Sequence, residues 1–189
     1  MTNLLVKVIN DLKMKNGGHL LYLYTDSKSY LQNVVSFAVS VTKNGDHILL
    51  VENDRNILLI NKELENKLTK EQRANVHFVN NFDFYYSNGN FHPQTILQYV
   101  SQKMGPYTED GSSMYTWGLI EWREDGEMTS EIEKYEKELD KFVSENGLIS
   151  VCAYDANRTS PLLKKLLMDC HGVMMTDHEV VDLSENKTR

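Results

Sequence analysis

The feature that most constrains the fold is an alternation of short apolar runs with amphipathic segments of helical period. Runs of strand length occur at 19–24, 46–53, 75–80, 113–122 and 148–155. Segments with apolar residues at helical spacing occur at 27–42, 54–67, 91–104, 127–145 and 161–168. Because parallel strands need long crossover connections, this order predicts an α/β fold with three αβα layers and a mainly parallel sheet.

The two ends of the chain add further elements. Apolar residues at helical spacing within 2–15, followed by Asn16-Gly17-Gly18, predict an N-terminal helix. Short apolar runs at 172–175 and 179–183 predict two terminal strands. We therefore expect a helix over 1–16 that packs on the core, a single domain over 17–182 and a disordered tail over 183–189.

Composition excludes several classes of protein. The 41% hydrophobic and 25% charged residues are typical of a globular domain, and 189 residues favour one domain. A net charge of -7 opposes direct binding to nucleic acid, and no apolar run approaches the ~20 residues that span a bilayer. The two cysteines have no paired spacing, so we expect a reducing, cytoplasmic location and no membrane partner.

The carboxyl ends of the predicted strands are the first place to seek a ligand, because doubly wound sheets bind ligands there. Tyr24, Asp26, Glu52, Glu121 and Asp155 occupy these positions. The carboxylates Glu52, Glu121 and Asp155 would meet if their strands are neighbours. Such a group would permit an acid–base pair or a metal site.

Residues 25–29 sit between a predicted strand and a predicted helix, where a phosphate-binding loop would lie. Lys28 and Ser29 fit such a loop. The segment has no glycine, however, and Asp26 would repel a phosphate. The alternative is that Thr25 or Asp26 caps the helix and Lys28 is solvated.

Aromatic residues lie on or beside the predicted central strands, where parallel sheets usually carry Val and Ile. They are Tyr22, Tyr24, Tyr115, Trp117, Trp122 and Tyr154. These side chains either wall a pocket for a small apolar ligand or fill the core.

Cysteine and histidine residues offer one further possibility. No HxH or HExxH spacing occurs, but Cys152, Cys170 and His171 would form a soft-metal or redox site if the fold brings them together. The apolar neighbours of Cys152 favour instead a buried, inert thiol. With no complete catalytic constellation, we expect neither an enzyme nor a cofactor.

Three blocks of the sequence together resemble the MEDS family, a sensory domain named after methanogen and methylotroph proteins and the DcmR regulator. They are GGHLLYLYTDSKSYLQNVVSFAVSVTKNGDHILLVEN, YTWGLIEW, and LISVCAYD followed by His171. The resemblance spans about 17–180 and implies a RecA/KaiC-like core that has lost its phosphate loop. The pocket positions that it implies, without catalytic roles, are His19, Tyr22, Trp117, Gly118, Cys152, Tyr154, Asp155 and His171.

The family resemblance also implies a role in signalling. Members are joined to histidine kinases, anti-sigma-type kinases or DNA-binding regulators and are associated with small hydrocarbon-like compounds. We predict a stand-alone sensory domain that binds a small apolar or aromatic ligand, a signalling partner of these classes, or both, with a homodimer as a further possibility.

Two alternatives to this sensory role remain. The first is an interaction module that inhibits a signalling kinase. The acidic helix predicted over 127–145 would offer a docking face for a basic partner; the competing interpretation is that this face is simply solvated. The second is an enzyme, either a degenerate nucleotide hydrolase that uses Lys28 and Ser29 or a thiol-dependent activity at Cys152.

Overall fold

The computed structural model describes residues 2–14, 17–87, 89–108, 113–122 and 128–183. The strands are β1 (Gly18–Tyr24), β2 (His47–Glu52), β3 (Val76–Asn80), β4 (Met114–Leu119), β5 (Ile149–Asp155), β6 (Val173–Thr176) and β7 (Val180–Asp182). The helices are α1 (Thr2–Met14), α2 (Ser27–Lys43), α3 (Asp54–Glu65), α4 (Lys70–Ala74), α5 (Asn81–Tyr85), α6 (Pro93–Thr108), α7 (Met128–Asn146) and α8 (Pro161–Cys170).

One sheet contains these strands in the order β3-β2-β4-β5-β1-β6-β7. Neighbouring strands are parallel, except that β6 and β7 pair antiparallel. β1 therefore lies between two strands, β5 and β6, that come more than a hundred residues later in the chain. The predicted α/β class with a mainly parallel sheet is confirmed.

The side chains on the two faces of the sheet form separate cores, because successive residues of a strand point to opposite sides. Leu20 and Tyr22 of β1 belong to the first core, which packs against α1, α2 and α3. Leu21 and Leu23 belong to the second core, which packs against α5, α6, α7 and α8. Helices thus cover both faces and form the predicted three layers.

Some helices differ from their predicted extents. The helix predicted over 54–67 is observed as α3, which ends at Glu65. The short helix α4 that follows was not predicted, and Thr69 caps it with a capping box in which its hydroxyl accepts from the Gln72 backbone N–H at 3.3 Å. α5 was not predicted, since five residues are too few for a helical period to show. In the described part of the chain, no helix combines the length and apolar character needed to cross a membrane.

Both ends of the described chain contact the core. Val8, Ile9 and Leu12 of α1 are buried in the first core. Leu183, which the sequence placed in a disordered tail, is also buried, and its N–H donates to the Gly172 carbonyl at 2.9 Å. The pairing of β6 with β7 returns the chain to the core at this point. The rest of the predicted tail, 184–189, lies outside the described residues.

Candidate functional site

The sheet divides the predicted site residues between its two faces. Cys152 and Tyr154 belong to the second core, whereas Tyr22 and Trp117 belong to the first. His19 and His171 lie with the second group, Tyr24 and Glu52 with the first, and Asp26, Glu121 and Asp155 lie at the carboxyl edge of the sheet. The predicted site residues therefore fall into separate groups on the two faces and at the carboxyl edge of the sheet.

Four buried side chains on the second face bring their polar atoms together. We term this group the histidine cluster: His19 of β1, Glu136 of α7, Cys152 of β5, and His171, which directly follows α8. Their potential ligand atoms all lie within 4.8 Å of one another. Each residue is at most 4% exposed, so the cluster is closed to bulk solvent.

The shortest distances in the histidine cluster converge on one carboxylate oxygen. Glu136 Oε2 lies 3.2 Å from His19 Nε2 and 3.5 Å from His171 Nε2. His19 Nε2 also lies 3.3 Å from Cys152 Sγ. The two imidazole rings have their centroids 3.8 Å apart.

Outer contacts orient the members of the histidine cluster. His171 Nδ1 donates to the Leu167 carbonyl at 2.7 Å, and the Tyr154 hydroxyl donates to Glu136 Oε1. His19 Nδ1 faces Asp140 Oδ1 at 3.4 Å. Glu136 Oε2, His171 Nε2 and His19 Nδ1 nevertheless have no hydrogen bond of regular geometry among the described protein atoms.

Burial and neighbouring charges set the protonation of the cluster in the protein alone. Burial opposes the charge on Glu136, but the nearby histidines lower the pKa of its carboxyl below the ordinary value. Burial also opposes a charge on His19, yet Asp140 and Glu136 raise the pKa of its imidazole. Burial, reinforced by His19, lowers the pKa of His171 to about 3. Burial raises the pKa of the Cys152 thiol well above its usual range, so the thiol is protonated at neutral pH.

The predicted grouping of Cys152, Cys170 and His171 is correct for two of the three. Cys152 and His171 meet, but His19 and Glu136 complete the group in place of Cys170. Glu136 was missed because it lies in a strongly charged helix. A signal was present, since Ile132 and Leu139, at helical spacing on either side of Glu136, are also buried.

At the carboxyl end of β1, the carboxylate of Asp177 binds the amino end of α2. Its Oδ2 accepts from the backbone N–H groups of Thr25 (2.8 Å) and Asp26 (3.1 Å) and from the Thr25 hydroxyl (2.7 Å). Its Oδ1 accepts from the Tyr22 hydroxyl at 2.7 Å. Burial alone would raise the pKa of Asp177, but these donors lower it below its ordinary value, so the carboxylate is ionised.

Asp26 confirms the capping interpretation of residues 25–29. It is the N-cap of α2, and its carboxylate accepts from the Ser29 N–H at 2.7 Å. A helix amino end binds phosphate through free backbone N–H groups. Here the N–H groups of Thr25, Asp26 and Ser29 are bonded to the chain's own carboxylates.

Glu52 is a second carboxyl group on the first face and is completely buried. It accepts from the Tyr30 hydroxyl and, at 2.9 Å, from Asn56 Nδ2, while Trp117 Nε1 donates to the Tyr30 hydroxyl at 3.0 Å. Burial, opposed by the Tyr30 and Asn56 hydrogen bonds, raises the pKa of Glu52 to about 8. The carboxyl group is therefore mainly neutral at pH 7.

The three strand-end carboxylates do not form the predicted metal site. Their strands β2, β4 and β5 are neighbours, as that hypothesis required. However, Glu121 accepts from Asn81 Nδ2 at 2.7 Å, and Asp155 from Asn157 Nδ2 at 3.1 Å, so local amides take up their oxygens. Glu52, Glu121 and Asp155 are not among the described groups whose ligand atoms are close enough to share an ion.

The predicted aromatic residues mainly fill the cores. Tyr22 packs on Trp117 with ring centroids 5.7 Å apart, and Tyr24 packs on Tyr30 at 4.4 Å. Tyr22, Trp117 and Tyr154 are fully buried. This mutual packing favours the core interpretation of the aromatic pattern.

Two surface concavities bear on function. A pocket of about 220 Å³, here termed the strand-end pocket, opens where β1, β5 and β6 end. It is lined by Leu23, Thr25, Ala156, Thr159, Lys164, Thr176, Asp177 and His178. None of the predicted site residues lines it, although Thr25 and Ala156 directly follow two of them. A groove of about 1030 Å³ runs between α2 and α3.

The fold places the protein in the class of RecA-like α/β domains. Among solved structures, the chain is similar to an ATPase domain, with a TM-score of 0.55 and 10% identity over 85% of this chain and 69% of that chain. At that identity, the likeness shows the fold alone.

The family follows from a sequence model. MEDS, described as "MEthanogen/methylotroph, DcmR Sensory domain", matches residues 18–172, and the chain belongs to this family. The resemblance predicted from the sequence is confirmed, and the description of the family indicates a sensory or regulatory role. Comparison with curated protein sequences finds no match.

Proposed function

We propose that the protein is a sensory module in which a small molecule, bound in the strand-end pocket, shifts α2 and changes the binding of a signalling partner. The observation that carries this proposal is Asp177, which lines the pocket and also binds the amino end of α2. Membership of the MEDS family supports the sensory role.

The lining of the strand-end pocket defines the ligand chemistry. Its volume of about 220 Å³ lies below the roughly 300–1,000 Å³ of pockets for drug-sized ligands, so a small metabolite fits best. Leu23 and Ala156 supply apolar surface, while Thr159, Thr176 and Lys164 supply hydroxyl groups and a cation. Because the ionised carboxylate of Asp177 also lines the pocket and would repel an anion, a short apolar compound with an uncharged polar head matches this lining better than the apolar or aromatic ligand expected from the sequence.

The groove between α2 and α3 is the surface through which a shift of α2 would reach a partner. Its floor includes the apolar side chains of Leu31, Val35 and Ile60. Its rim carries the cations Lys28, Arg55, Lys62 and Lys67. An acidic amphipathic helix of a signalling protein has the complementary shape and charge. The ligand can shift α2 only if its affinity for the protein differs between the two positions of α2.

Calorimetry and thermal unfolding with short-chain carboxylates, and with alcohols of matching chain length, test the pocket. An alcohol at 100 times its Kd should stabilise the fold by about 2.7 kcal/mol, and the matching carboxylate should bind more weakly because the ionised Asp177 repels it. Lys164→Ala should weaken alcohol binding roughly tenfold, since it removes one charge-assisted hydrogen bond. Lys165→Ala, at an exposed position of α8 outside the pocket lining, is the matched control. The pocket hypothesis fails if no compound binds or if both variants bind equally well.

We further propose that the domain is not an enzyme. The raised pKa of the buried Cys152 thiol leaves little thiolate for a nucleophilic step. At the amino end of α2, Asp26 and Asp177 already bind the backbone N–H groups that a nucleotide phosphate would need. These contacts support binding, and not turnover, as the activity of the domain.

A further inference from the structure

We propose that the histidine cluster binds a transition-metal ion, and that Zn²⁺ fits it best. The ligands are His19 Nε2, His171 Nε2, Cys152 Sγ and Glu136 Oε2. This site is separate from the strand-end pocket, because His19 is at the amino end of β1 and the pocket lies beyond its carboxyl end. The metal proposal therefore does not depend on the proposed sensory pocket.

The distances within the histidine cluster match the edges of a zinc tetrahedron. Bonds of about 2.0–2.3 Å from Zn²⁺ to nitrogen, oxygen and sulfur place neighbouring ligand atoms roughly 3.3–3.7 Å apart. The distances from His19 Nε2 to Glu136 Oε2 and Cys152 Sγ are 3.2 and 3.3 Å, and that from His171 Nε2 to Glu136 Oε2 is 3.5 Å. The remaining pairs of ligand atoms lie within 4.8 Å, so side-chain movements of up to about 1 Å would complete the coordination.

The ligand types select a borderline-soft ion. Two imidazoles, one thiolate and one carboxylate suit Zn²⁺ and its neighbours in the transition series. Mg²⁺ and Ca²⁺ require shells of oxygen ligands, which this cluster does not supply. All four positions come from buried protein side chains, so the site resembles closed, structural zinc sites and leaves no position for a substrate.

Two unpartnered acceptor atoms point to a cation. The bond from His171 Nδ1 to the Leu167 carbonyl requires the proton on Nδ1, which leaves Nε2 of the neutral ring with a lone pair. That lone pair faces Glu136 Oε2 at 3.5 Å, and neither atom has a hydrogen bond of regular geometry, although His19 Nε2 lies 3.2 Å from the same Glu136 oxygen. Burying two facing acceptors is costly unless a cation lies between them. A metal ion at this point satisfies both atoms.

The outer contacts are those that orient metal ligands in known sites. A metal-binding histidine usually donates its other ring N–H to a carbonyl or carboxylate, and metal-binding carboxylates are themselves hydrogen-bonded. His171 has the Leu167 carbonyl and Glu136 has the Tyr154 hydroxyl in these roles, while the Asp140 carboxylate lies 3.4 Å from His19 Nδ1 as an ion-pair contact. When the ion binds, the Cys152 thiol releases its proton to solvent and coordinates as thiolate.

Cobalt substitution tests the site. The full chain, purified under reducing conditions and stripped with a chelator, should take up one Co²⁺ per molecule. It should then show a thiolate-to-cobalt charge-transfer band and the intense visible bands of tetrahedral cobalt. Zn²⁺ should displace the cobalt and raise the thermal unfolding temperature. Absence of the charge-transfer band at one equivalent of Co²⁺ would overturn the proposal.

Two cysteine variants provide the matched comparison. Cys152→Ser should abolish the charge-transfer band, whereas Cys170→Ser, which replaces a buried cysteine outside the cluster, should leave it unchanged. A band that survives Cys152→Ser would place the metal elsewhere and refute the site. Because Cys152 is in the core, circular dichroism must show that its variant is folded.

A partly exposed position keeps the test decisive if Cys152→Ser does not fold. Asp140 has a side chain that is 39% exposed and contacts His19, so Asp140→Asn should fold. Removing an outer carboxylate typically lowers metal affinity roughly 10- to 100-fold. Asp169→Asn, at an exposed position of α8, serves as its control. Equal Zn²⁺ affinity in the two aspartate variants would contradict the assigned geometry.

Discussion

At the scale of single residues, Glu52 shows how burial sets the charge of a carboxyl group. It is fully buried at the end of β2, and burial raises its pKa to about 8 although Tyr30 and Asn56 donate hydrogen bonds to it. The sequence identified Glu52 as a strand-end carboxylate and offered it as a ligand. Its surroundings instead make it a neutral part of the core at physiological pH.

Glu52→Gln should therefore change how stability depends on pH. The native state binds this proton more tightly (pKa about 8) than the unfolded state (4.5), so the free energy of unfolding falls as pH rises between these values. Above that window, the wild type has lost on the order of 5 kcal/mol relative to acidic pH, at about 1.4 kcal/mol per pKa unit. Glutamine cannot ionise, so the variant should lack this loss.

Urea unfolding at about pH 5 and about pH 9 measures the effect of Glu52→Gln. The variant should gain stability relative to wild type as pH rises across this range. Glu63→Gln, at an exposed position of α3, is the control and should follow the wild type. If the difference in the free energy of unfolding between Glu52→Gln and wild type is the same at both pH values, the raised pKa of Glu52 is contradicted.

Gly118 is a second residue whose role the structure explains. The family resemblance offered it as a pocket position, but a Cβ atom there would lie 2.4 Å from the Tyr85 hydroxyl. Tyr85 is buried and packs against Phe91 and Tyr135, with ring centroids 5.7 and 5.9 Å away. The glycine is therefore required by close packing of the second core.

Gly118→Ala should destabilise the protein by about 1–3 kcal/mol, the usual cost of overpacking a core. Gly172→Ala is the matched control, because a Cβ atom at Gly172 meets nothing within 4 Å. Chemical denaturation of both variants gives the comparison. Similar stability losses in the two would show that the contact with Tyr85 does not decide the effect.

At the scale of elements, α2 depends on contacts from distant parts of the chain. Asp177, from the turn between β6 and β7, binds the N–H groups of Thr25 and Asp26. Asn33 of α2 donates to the Tyr22 hydroxyl at 2.9 Å, and this hydroxyl in turn donates to Asp177. The amino end of α2, the end of β1 and the β6–β7 turn therefore form one hydrogen-bonded unit.

Asp177→Asn should loosen this unit. An amide offers only one acceptor atom and places N–H groups near other donors, so we expect a stability loss of about 2–4 kcal/mol. The pKa of Asp177 is lowered, so its contribution is present above the unfolded value of 3.8 and is lost as pH falls below it. The difference in the free energy of unfolding between Asp177→Asn and wild type should therefore become smaller at acidic pH.

Hydrogen exchange locates the effect of Asp177→Asn within the molecule. The amides of Thr25 and Asp26 should exchange faster in the variant. The exchange rates of amides in β2 and β3 should rise only by the amount that the loss of global stability explains. Asp169→Asn, exposed on α8, should leave all of them unchanged. Unchanged protection of Thr25 and Asp26 in Asp177→Asn would refute the bridging role of Asp177.

At the scale of the whole molecule, the sequence predicted elements better than their arrangement. The five longer strands were predicted because each is a short apolar run between polar turns. The strand order was not predictable, since it depends on pairs such as Leu21 with Cys152, far apart in the chain. The separation of the predicted site residues onto two faces could have been predicted from the sequence, because His19 and Tyr22 are three residues apart in one strand and must point to opposite faces.

The carboxylates at the amino end of α2 oppose nucleotide binding. The sequence offered a degenerate nucleotide hydrolase as an alternative, yet Asp177 and Asp26 bind the N–H groups where a phosphate would lie. Two carboxylates there also repel an anion. We therefore expect Mg-ATP at millimolar concentration to stabilise the fold by less than about 0.4 kcal/mol, the value reached when ligand concentration equals Kd.

Thermal unfolding with Mg-ATP, together with phosphate-release assays, measures this directly. Lys28→Ala, at the first turn of α2, and Lys43→Ala, at its other end, are the paired variants. If the carboxylates block the position, wild type and both variants should each unfold at the same temperature with and without nucleotide. Saturable stabilisation by Mg-ATP that is lost in Lys28→Ala but kept in Lys43→Ala would instead identify a degenerate nucleotide site. In that case Asp177 would have to leave the amino end of α2 when nucleotide binds, and the same hydrogen-bonded unit would be the switch.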